Sequence, residues 1–484
     1  MNKNTYIIII SCMLIFFTIS QITATQSSIQ LTGSYECITT LYDLKSFNGK
    51  TNDQQFSWGM NNFINLRMKS NISSYLDFQL AFNLNMLSGS MTDFYKLYYL
   101  TDAASIISRI PVGPDKTLLT DPDTVKTGFF SIPFFYRTTY IGGIELERFY
   151  FRLKFEYATL STGLQRYARG YGQAFSPNDF FNPRNAANLD ARPVGKLSFI
   201  STFYPSDMWT IDLFAVAPDD PLETQGKGFK FGIATDILNI IPEGTSFSFN
   251  FQFLYTLFTP EQDFTNDPDL LKTTERYSSN FSHIAGFAFR ADIEVGIFVD
   301  TIYRFDHRNF ITGEYFGRKF YGYEGLEFAI GIDYTTAAGY LYFLIEYLFY
   351  GPGMLEFGEN SLDTIYLTGS GVENWETLSP IKRTSNPVKK RLYYARHNYV
   401  YCMLMVKIND FFNFGNSFLF GPEDQSGIIT TFFNINPIQN LSIGISALVP
   451  LDKNLFNNSF EAGEFGPLNI GFYNGYKINI SFKF

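Results

Sequence analysis

Three basic side chains share one alternation of period two in a short segment of this sequence. Arg148, Arg152 and Lys154 alternate with the apolar side chains of residues 149–155. Because successive side chains of a β-strand point to opposite faces, the three bases would share one face. A row of cations can attract anions by focusing the electric field in a narrow space. Paired with nearby acids, the same row can instead form a network that only keeps a surface hydrated.

Other charged residues lie in or next to predicted strands, at positions where their side chains would share the face that carries these bases. A charge at the middle of a membrane costs about 2–4 kcal/mol, so the charged faces are expected to point into a barrel interior. The candidate interior residues are Arg148, Arg152, Lys154, Arg166, Arg169, Arg290, Arg304, Glu294 and Asp300, with Glu145, Glu156 and Asp292 as further acids.

Signals of enzymatic chemistry are weak. The three histidines, His283, His307 and His397, have no metal-ligand spacing, and no serine or cysteine lies in a nucleophile motif. No phosphate-binding glycine loop is present. The cysteines Cys37 and Cys402 have no paired spacing, which argues against a disulfide framework. We therefore expect no catalytic residue, no metal and no cofactor.

Strict alternation of apolar and polar residues is the main structural signal. It runs through residues 247–257, 441–449 and 478–484, and each run predicts a strand with one apolar and one polar face. A soluble sandwich shows the same alternation with the apolar face turned inward. Runs of about ten to thirteen residues suit a tilted membrane strand better than an ordinary soluble strand.

Composition supports the membrane interpretation. Aromatic residues make up 18% of the 484 residues, with 54 Phe and 32 Tyr, and charged residues only 17%, against about 25% in soluble proteins. Mean hydropathy is near zero, and no second long apolar run exists, which argues against a helical membrane protein. The net charge of −9 argues against nucleic acid as a partner.

The alternating runs predict one all-β domain, a single antiparallel transmembrane β-barrel of about 18 strands (range about 16–20). Strands are expected to start near residues 29, 54, 72, 143, 157, 194, 208, 227, 245, 281, 293, 323, 339, 395, 412, 427, 440 and 473. Connections should alternate between short periplasmic turns and long outer loops. The expected long connections are 88–142, 168–193, 259–280, 305–322, 351–394 and 451–472.

Both chain ends carry export signals. Lys3, the apolar run 6–22 and Ala24 predict a signal peptide over residues 1–24, cleaved near Ala24, with the barrel over 25–484. An uncleaved anchor and a loose lipoprotein box ending at Cys12 are the alternatives. The last strand ends on Phe484 and resembles the insertion signal of bacterial outer-membrane barrels, which implies recognition by the barrel-insertion machinery.

The most distinctive stretch is 163–184. It contains Arg166, Gly172, Pro177, Asp179, Asn182 and Pro183. In these positions the chain resembles Gram-negative porin-like and exopolysaccharide-export barrels, in which a strand ending Gly-Arg-Gln is followed by Trp-Gly and by Pro-x-Asp-x-x-Asn-Pro. Residues 147–150 are similar to the Arg-Ala-Tyr strand start of that family. Tyr171 stands where Trp is usual, and Gln165-Arg166 inverts the Arg-Gln order.

The resemblance implies an inward loop, and we expect Asp179, Asn182, Pro183 and Arg184 to form a constriction or to fasten the loop to the barrel wall. Residues 91–110 or 351–394, the latter with the basic cluster 389–391, could also fold inward as a gate; the simpler interpretation is surface loops.

The leading hypothesis is a bacterial outer-membrane porin in which small hydrophilic solutes diffuse through a charged lumen narrowed by the 168–193 loop. A gated transporter of apolar molecules is the first alternative. A non-transporting surface barrel, such as an adhesin or antigen, is the second. The expected partners are outer-membrane lipid and small solutes. A homo-oligomer is a further expectation that the sequence leaves open.

Overall fold

The structure is a computed structural model. It describes residues 29–43, 56–89, 131–137, 140–179, 181, 195–217, 229–241, 247–258, 282–306, 314–315, 318–319, 325–336, 339–351, 397–423, 425–451 and 474–484. The gating candidates 91–110 and 352–394 and the leader 1–24 lie outside these residues.

Alternating residues with aromatic and β-branched side chains give strands almost throughout. The strands are β1 (Ile29–Asp43), β2 (Phe56–Asn71), β3 (Leu76–Gly89), β4 (Ser131–Arg137), β5 (Tyr140–Lys154), β6 (Ala158–Gln165), β7 (Lys196–Ser206), β8 (Trp209–Val216), β9 (Lys230–Ile240), β10 (Ser248–Phe258), β11 (Ser282–Asp292), β12 (Gly296–Asp306), β13 (Glu314–Tyr315), β14 (Arg318–Lys319), β15 (Leu326–Thr335), β16 (Leu341–Tyr350), β17 (Asn398–Lys407), β18 (Phe412–Gly421), β19 (Ser426–Ile438), β20 (Leu441–Leu451) and β21 (Asn474–Lys483). Within the described ranges, no helix has the length and apolar character needed to cross a membrane.

Eighteen of these strands form one closed antiparallel barrel. Each barrel strand pairs with the barrel strands that precede and follow it in sequence, and β1 closes the ring by pairing with both β2 and β21. At the seam, Gly33 N donates to Phe484 O at 2.8 Å, and Phe484 N donates to Gly33 O at 3.0 Å. Closure removes both sheet edges, so that the backbone donors and acceptors of the first and last strands are paired with each other.

The predicted fold class is confirmed, and every barrel strand starts within four residues of its predicted start. Two features were not predicted. Strand β4 pairs with the outer half of β5, and β13 and β14 form a two-residue hairpin. The weak signal of β4 has a local cause: Pro133 has no backbone N–H, and the register shifts between Pro133 and Phe135.

The connections follow the predicted rhythm. At one end, consecutive barrel strands are separated by two to seven residues: 72–75, 155–157, 207–208, 241–247, 293–295, 336–340, 408–411 and 439–440. At the other end, the chain separations between barrel strands are longer, except for the turn 422–425 between β18 and β19. We call the first end the inner end and the second the outer end.

The two faces of the wall are inverted relative to a soluble protein. Outward-facing apolar side chains are exposed, for example Ile445 at 50% and Ile478 at 48%. Inward-facing polar side chains such as Asn65 and Glu346 are buried. An exposed apolar belt around a closed barrel is stable only against hydrocarbon, so the wall is a membrane-spanning one.

Candidate functional site

The chain turns into the barrel directly after β6. We call residues 166–179 and 181 the inward segment. Its first fixed point is Gly170, whose N–H donates to Gln252 Oε1 of β10 at 2.8 Å. Gly170 has a φ of 85°, a left-handed conformation that glycine adopts readily. The hydrogen bond to Gln252 holds the segment against the inward face of β10.

A single carboxylate on β16 holds the tip of the inward segment. Glu346 Oε1 accepts from Gln173 N at 2.7 Å, and Glu346 Oε2 accepts from Phe175 N at 2.8 Å, with Ala174 N 3.0 Å from both oxygens. Glu346 is fully buried. Three consecutive backbone amides pointing at one point form an anion-binding concavity, here occupied by the protein's own carboxylate.

A second carboxylate, on β12, holds the following residues. Asp300 Oδ2 accepts from Ser176 Oγ at 2.8 Å, and Asp300 Oδ1 accepts from Asn178 N at 3.0 Å. The Asn178 side chain also donates to Phe287 O of β11 at 2.9 Å. These contacts fix the single 3-10 turn Pro177–Asp179, which Pro177 starts with its preset φ.

The first part of the segment is fastened to β8 and β9 by an arginine. Arg169 is buried and forms ion pairs with Asp212 of β8 and Asp236 of β9. Tyr167 accepts from Arg169 Nε at 3.0 Å and donates to Asp212 Oδ2 at 3.1 Å. These contacts hold the first part of the segment against the wall at β8 and β9.

Apolar packing follows the same side of the lumen. Phe175 packs edge-on against Tyr401 of β17 within a buried cluster that also contains Phe298 and Leu344. Tyr167 and Phe181 pack against Phe214 of β8 in a second cluster. Along the arc from β8 to β17, these apolar clusters share the inward face with charged residues such as Asp212, Arg290 and Glu346.

The arc formed by β2, β3 and β5 is polar and charged. Its inward-facing bases are Arg67, Lys69, Arg148, Arg152 and Lys154, and its inward-facing acids are Asp77, Glu145 and Glu147. We call the five bases the basic strip. Glu147 joins this face because the register shifts at a β-bulge opposite Ala81 and Phe82. Asn65 Nδ2 donates to Glu147 Oε2 at 2.6 Å.

The structure separates the predicted site residues into three groups. Arg148, Arg152 and Lys154 lie in the basic strip. Arg169, Asp179 and Asp300 instead belong to the contacts of the inward segment, with Arg166 Nη2 3.6 Å from Asp179 Oδ2. Arg290 pairs with Asp333 at 2.9 Å, and Arg304 pairs with Glu327 at 2.7 Å.

Two further acids that the sequence suggested are placed away from the lumen wall. Glu294 is exposed in the inner-end turn 293–295 with a φ of 106°, and Glu156 is exposed in the turn 155–157. A tight turn leaves no inward face for either side chain. The constriction candidates Asn182, Pro183 and Arg184 lie outside the described residues.

Sequence reasoning named Asp300 but missed Glu346 and Asp212, two further carboxylates that hold the inward segment. Glu346 is the one acid in the largely apolar strand β16, and Asp212 is the one acid in β8. A lone acid at an inward position of an apolar strand needs a buried partner, and this signal could have identified both residues. Across the described residues, no group of three His, Cys, Asp or Glu side chains is arranged to hold a metal ion.

Comparisons by sequence find no matching protein-family model and no matching curated protein. By structure, the chain is similar to Wzi, an Escherichia coli outer-membrane protein involved in group 1 capsule assembly, with 12% identity, a TM-score of 0.46 and coverage of 96% of this chain and 86% of that one. It is also similar to Pseudomonas aeruginosa OpdK, with 8% identity, a TM-score of 0.44 and coverage of 94% and 98%. The similarity to Pseudomonas putida OprB has 10% identity, a TM-score of 0.42 and coverage of 96% of each chain. The function proposed below therefore depends on this chain's own residues.

Proposed function

We propose that this protein is a channel of the bacterial outer membrane through which small hydrophilic solutes diffuse. The observation that carries the proposal is the division of the lumen. The inward segment packs against the arc from β8 to β17, and the opposite arc presents charged side chains with solvent-accessible heads. Solutes would cross between the inward segment and this polar arc, which keeps its own hydration.

The polar arc extends beyond the basic strip. On β20, β21 and β1 the inward positions include Ser446, Lys477, Asn479, Ser481 and Glu36. Their outward neighbours are apolar, such as Ile445 and Ile480. Hydroxyl, amide and charged groups offer hydrogen bonds to water and to hydrophilic solutes without a tight binding site, which suits passive diffusion.

The direct test is conductance in planar bilayers. Purified, folded protein should give stepwise conductance increases, and heat-denatured protein from the same preparation should give none. A folded barrel that inserts and stays silent would contradict the proposal.

The route can be tested with a thiol reagent. In a background with Cys37 and Cys402 replaced by Ser, the inward variant Ser481→Cys should lose conductance when a charged thiosulfonate is added. The matched outward variant Ile480→Cys should not respond, because its thiol faces hydrocarbon. Conductance that is unchanged in both variants would place the solute path elsewhere.

The apolar-transporter alternative has one observation in its favour, the apolar clusters inside the lumen. Phe175 and Ala174 of the chain itself are part of the larger cluster, so no bound lipid is needed to fill it. Mass spectrometry of lipid retained by the purified barrel distinguishes the two: a stoichiometric apolar ligand would favour the transporter. A surface barrel without transport would be silent in the bilayer.

The remaining expectations belong to the same proposal. Residues 1–24 would be the cleaved signal peptide, and the Phe484 end would be read by the barrel-insertion machinery. Phe484 completes the seam with Gly33, which links the last residue to barrel closure. N-terminal sequencing of membrane-extracted protein tests cleavage near Ala24, and crosslinking in intact membranes tests homo-oligomer formation. We expect no enzymatic activity.

A further inference from the structure

The ion pairs around the basic strip are asymmetric. In the contact between Arg67 and Glu147, the arginine side chain is 44% exposed and the glutamate side chain 6%. In the contact between Lys154 and Asp77, the lysine is 43% exposed and the aspartate 12%. Both acids lie against the wall, whereas both bases extend into the open side of the lumen. A passing solute therefore meets the bases first.

One acid beside the basic strip, Glu147, is also shared among several donors. Arg67 and Arg148 lie on either side of the buried Ala81, and both approach Glu147 Oε1 to 3.5 Å. The second oxygen of Glu147 accepts from Asn65. One carboxylate thus serves two guanidinium groups, and even with Glu145 included, the strip's five bases face three acids on β2, β3 and β5.

The acids on the opposite side of the lumen that the contacts describe are each held by the inward segment or by an arginine. Glu346 and Asp300 are fully buried, and their oxygens accept hydrogen bonds from the inward segment. Asp212 and Asp236 are paired with Arg169, and Glu327 is paired with Arg304. Asp333 and the 43% exposed Asp292 share Arg290. The chain's overall charge of −9 therefore does not describe the surface along the solute path.

We propose that the channel prefers small anions to small cations, with the basic strip as the region that determines this selectivity. This inference rests on the proposed function, because it concerns the same solute path. The bases act through the local potential rather than through a binding site, since each is partly neutralised and remains hydrated.

The test is the reversal potential under a potassium chloride gradient. Wild-type protein should give the sign expected for chloride preference, and the preference should be larger at 0.1 M than at 1 M salt, because screening shortens from about 10 Å to about 3 Å. In the double variant Arg67→Gln, Arg148→Gln, the chloride-to-potassium permeability ratio should fall about twofold or more.

The matched control is Lys407→Gln, which removes an equally exposed base at the inner rim that pairs with Asp410 instead of belonging to the strip. It should leave the permeability ratio close to wild type. Lys154→Gln provides a second strip variant if the double variant folds poorly. A conducting channel with cation preference, or a ratio unmoved by the strip variants, would overturn the anion inference and leave the channel proposal standing. A silent wild-type barrel would overturn the channel proposal itself.

Discussion

At the scale of single residues, the inward segment contains a glycine, Gly170, that has a left-handed φ and no room for a side chain. A Cβ on Gly170 would lie 2.0 Å from Asp300 Oδ2 and 2.3 Å from Ser176 Oγ. Both atoms belong to the hydrogen bond that fastens the segment to β12. The left-handed φ of Gly170 and this contact together make the position intolerant of any other residue.

Gly170→Ala should therefore destabilise the barrel more than a glycine substitution that causes only backbone strain. The matched control is Gly339→Ala: Gly339 has a φ of 69° and no heavy atom within 4 Å of its would-be Cβ. The control should cost about 1–2 kcal/mol, the usual penalty of a left-handed L-residue. Unfolding in urea from lipid vesicles measures the stability of both variants. Equal losses in the free energy of unfolding would show that the close contact with Asp300 adds no destabilisation at position 170.

At the scale of elements, the inward segment is a loop given a fixed conformation by carboxylates of the barrel wall. Its backbone amides do not pair with a neighbouring strand. Left without hydrogen-bond acceptors, they would destabilise the segment in the buried parts of the lumen. Glu346 and Asp300 accept hydrogen bonds from several of them, and Phe175 fills the adjoining apolar cluster. This arrangement favours a fixed position of the segment over a mobile one.

Glu346→Gln should loosen the segment, because the amide NH2 would face backbone donors where a carboxylate oxygen now accepts. Each hydrogen bond to a charged group contributes about 1.5–3 kcal/mol, so we expect larger or more noisy single-channel conductance and a lower midpoint of thermal unfolding. Glu327→Gln is the control, since Glu327 pairs with Arg304 on the same side of the barrel. If both variants behave alike, Glu346 has no special role in holding the segment.

At the scale of the whole molecule, stability depends on an apolar exterior and a hydrated interior. Adjacent residues of β20 show the contrast: Ile445 points outward and is half exposed, and Ser446 points inward, opposite Lys477. An arginine introduced at position 445 would therefore face hydrocarbon, whereas an arginine introduced at position 446 would face water.

Ile445→Arg should lose about 2–4 kcal/mol of folding free energy in lipid vesicles, the cost of a charge near the bilayer midplane. Ser446→Arg should lose far less, because its charged group remains in the lumen. Urea titrations of the two variants under the same conditions measure the difference. Comparable losses would contradict the assignment of the two faces.

The sequence by itself determined the strands, their faces and the alternation of short and long connections. These are local properties, because an alternation of period two identifies a strand and its apolar face without knowledge of any distant residue. The inward course of the segment after β6 was expected from the residues around Gly172 and Asp179 that resemble a known family. Arg148, Arg152 and Lys154 were likewise assigned to the lumen from their positions within one strand.

Only the tertiary structure decided which side of the lumen the segment covers and which charges remain open to solutes. Gln173 and Glu346 are hydrogen-bonded although 173 residues separate them, and Arg169 meets Asp236 across 67 residues. No local pattern pairs such residues, because their proximity arises from barrel closure and from the inward course of the segment. Within the polar arc, burial then places Glu147 and Asp77 against the wall and leaves Arg67 and Lys154 on the open side of the lumen.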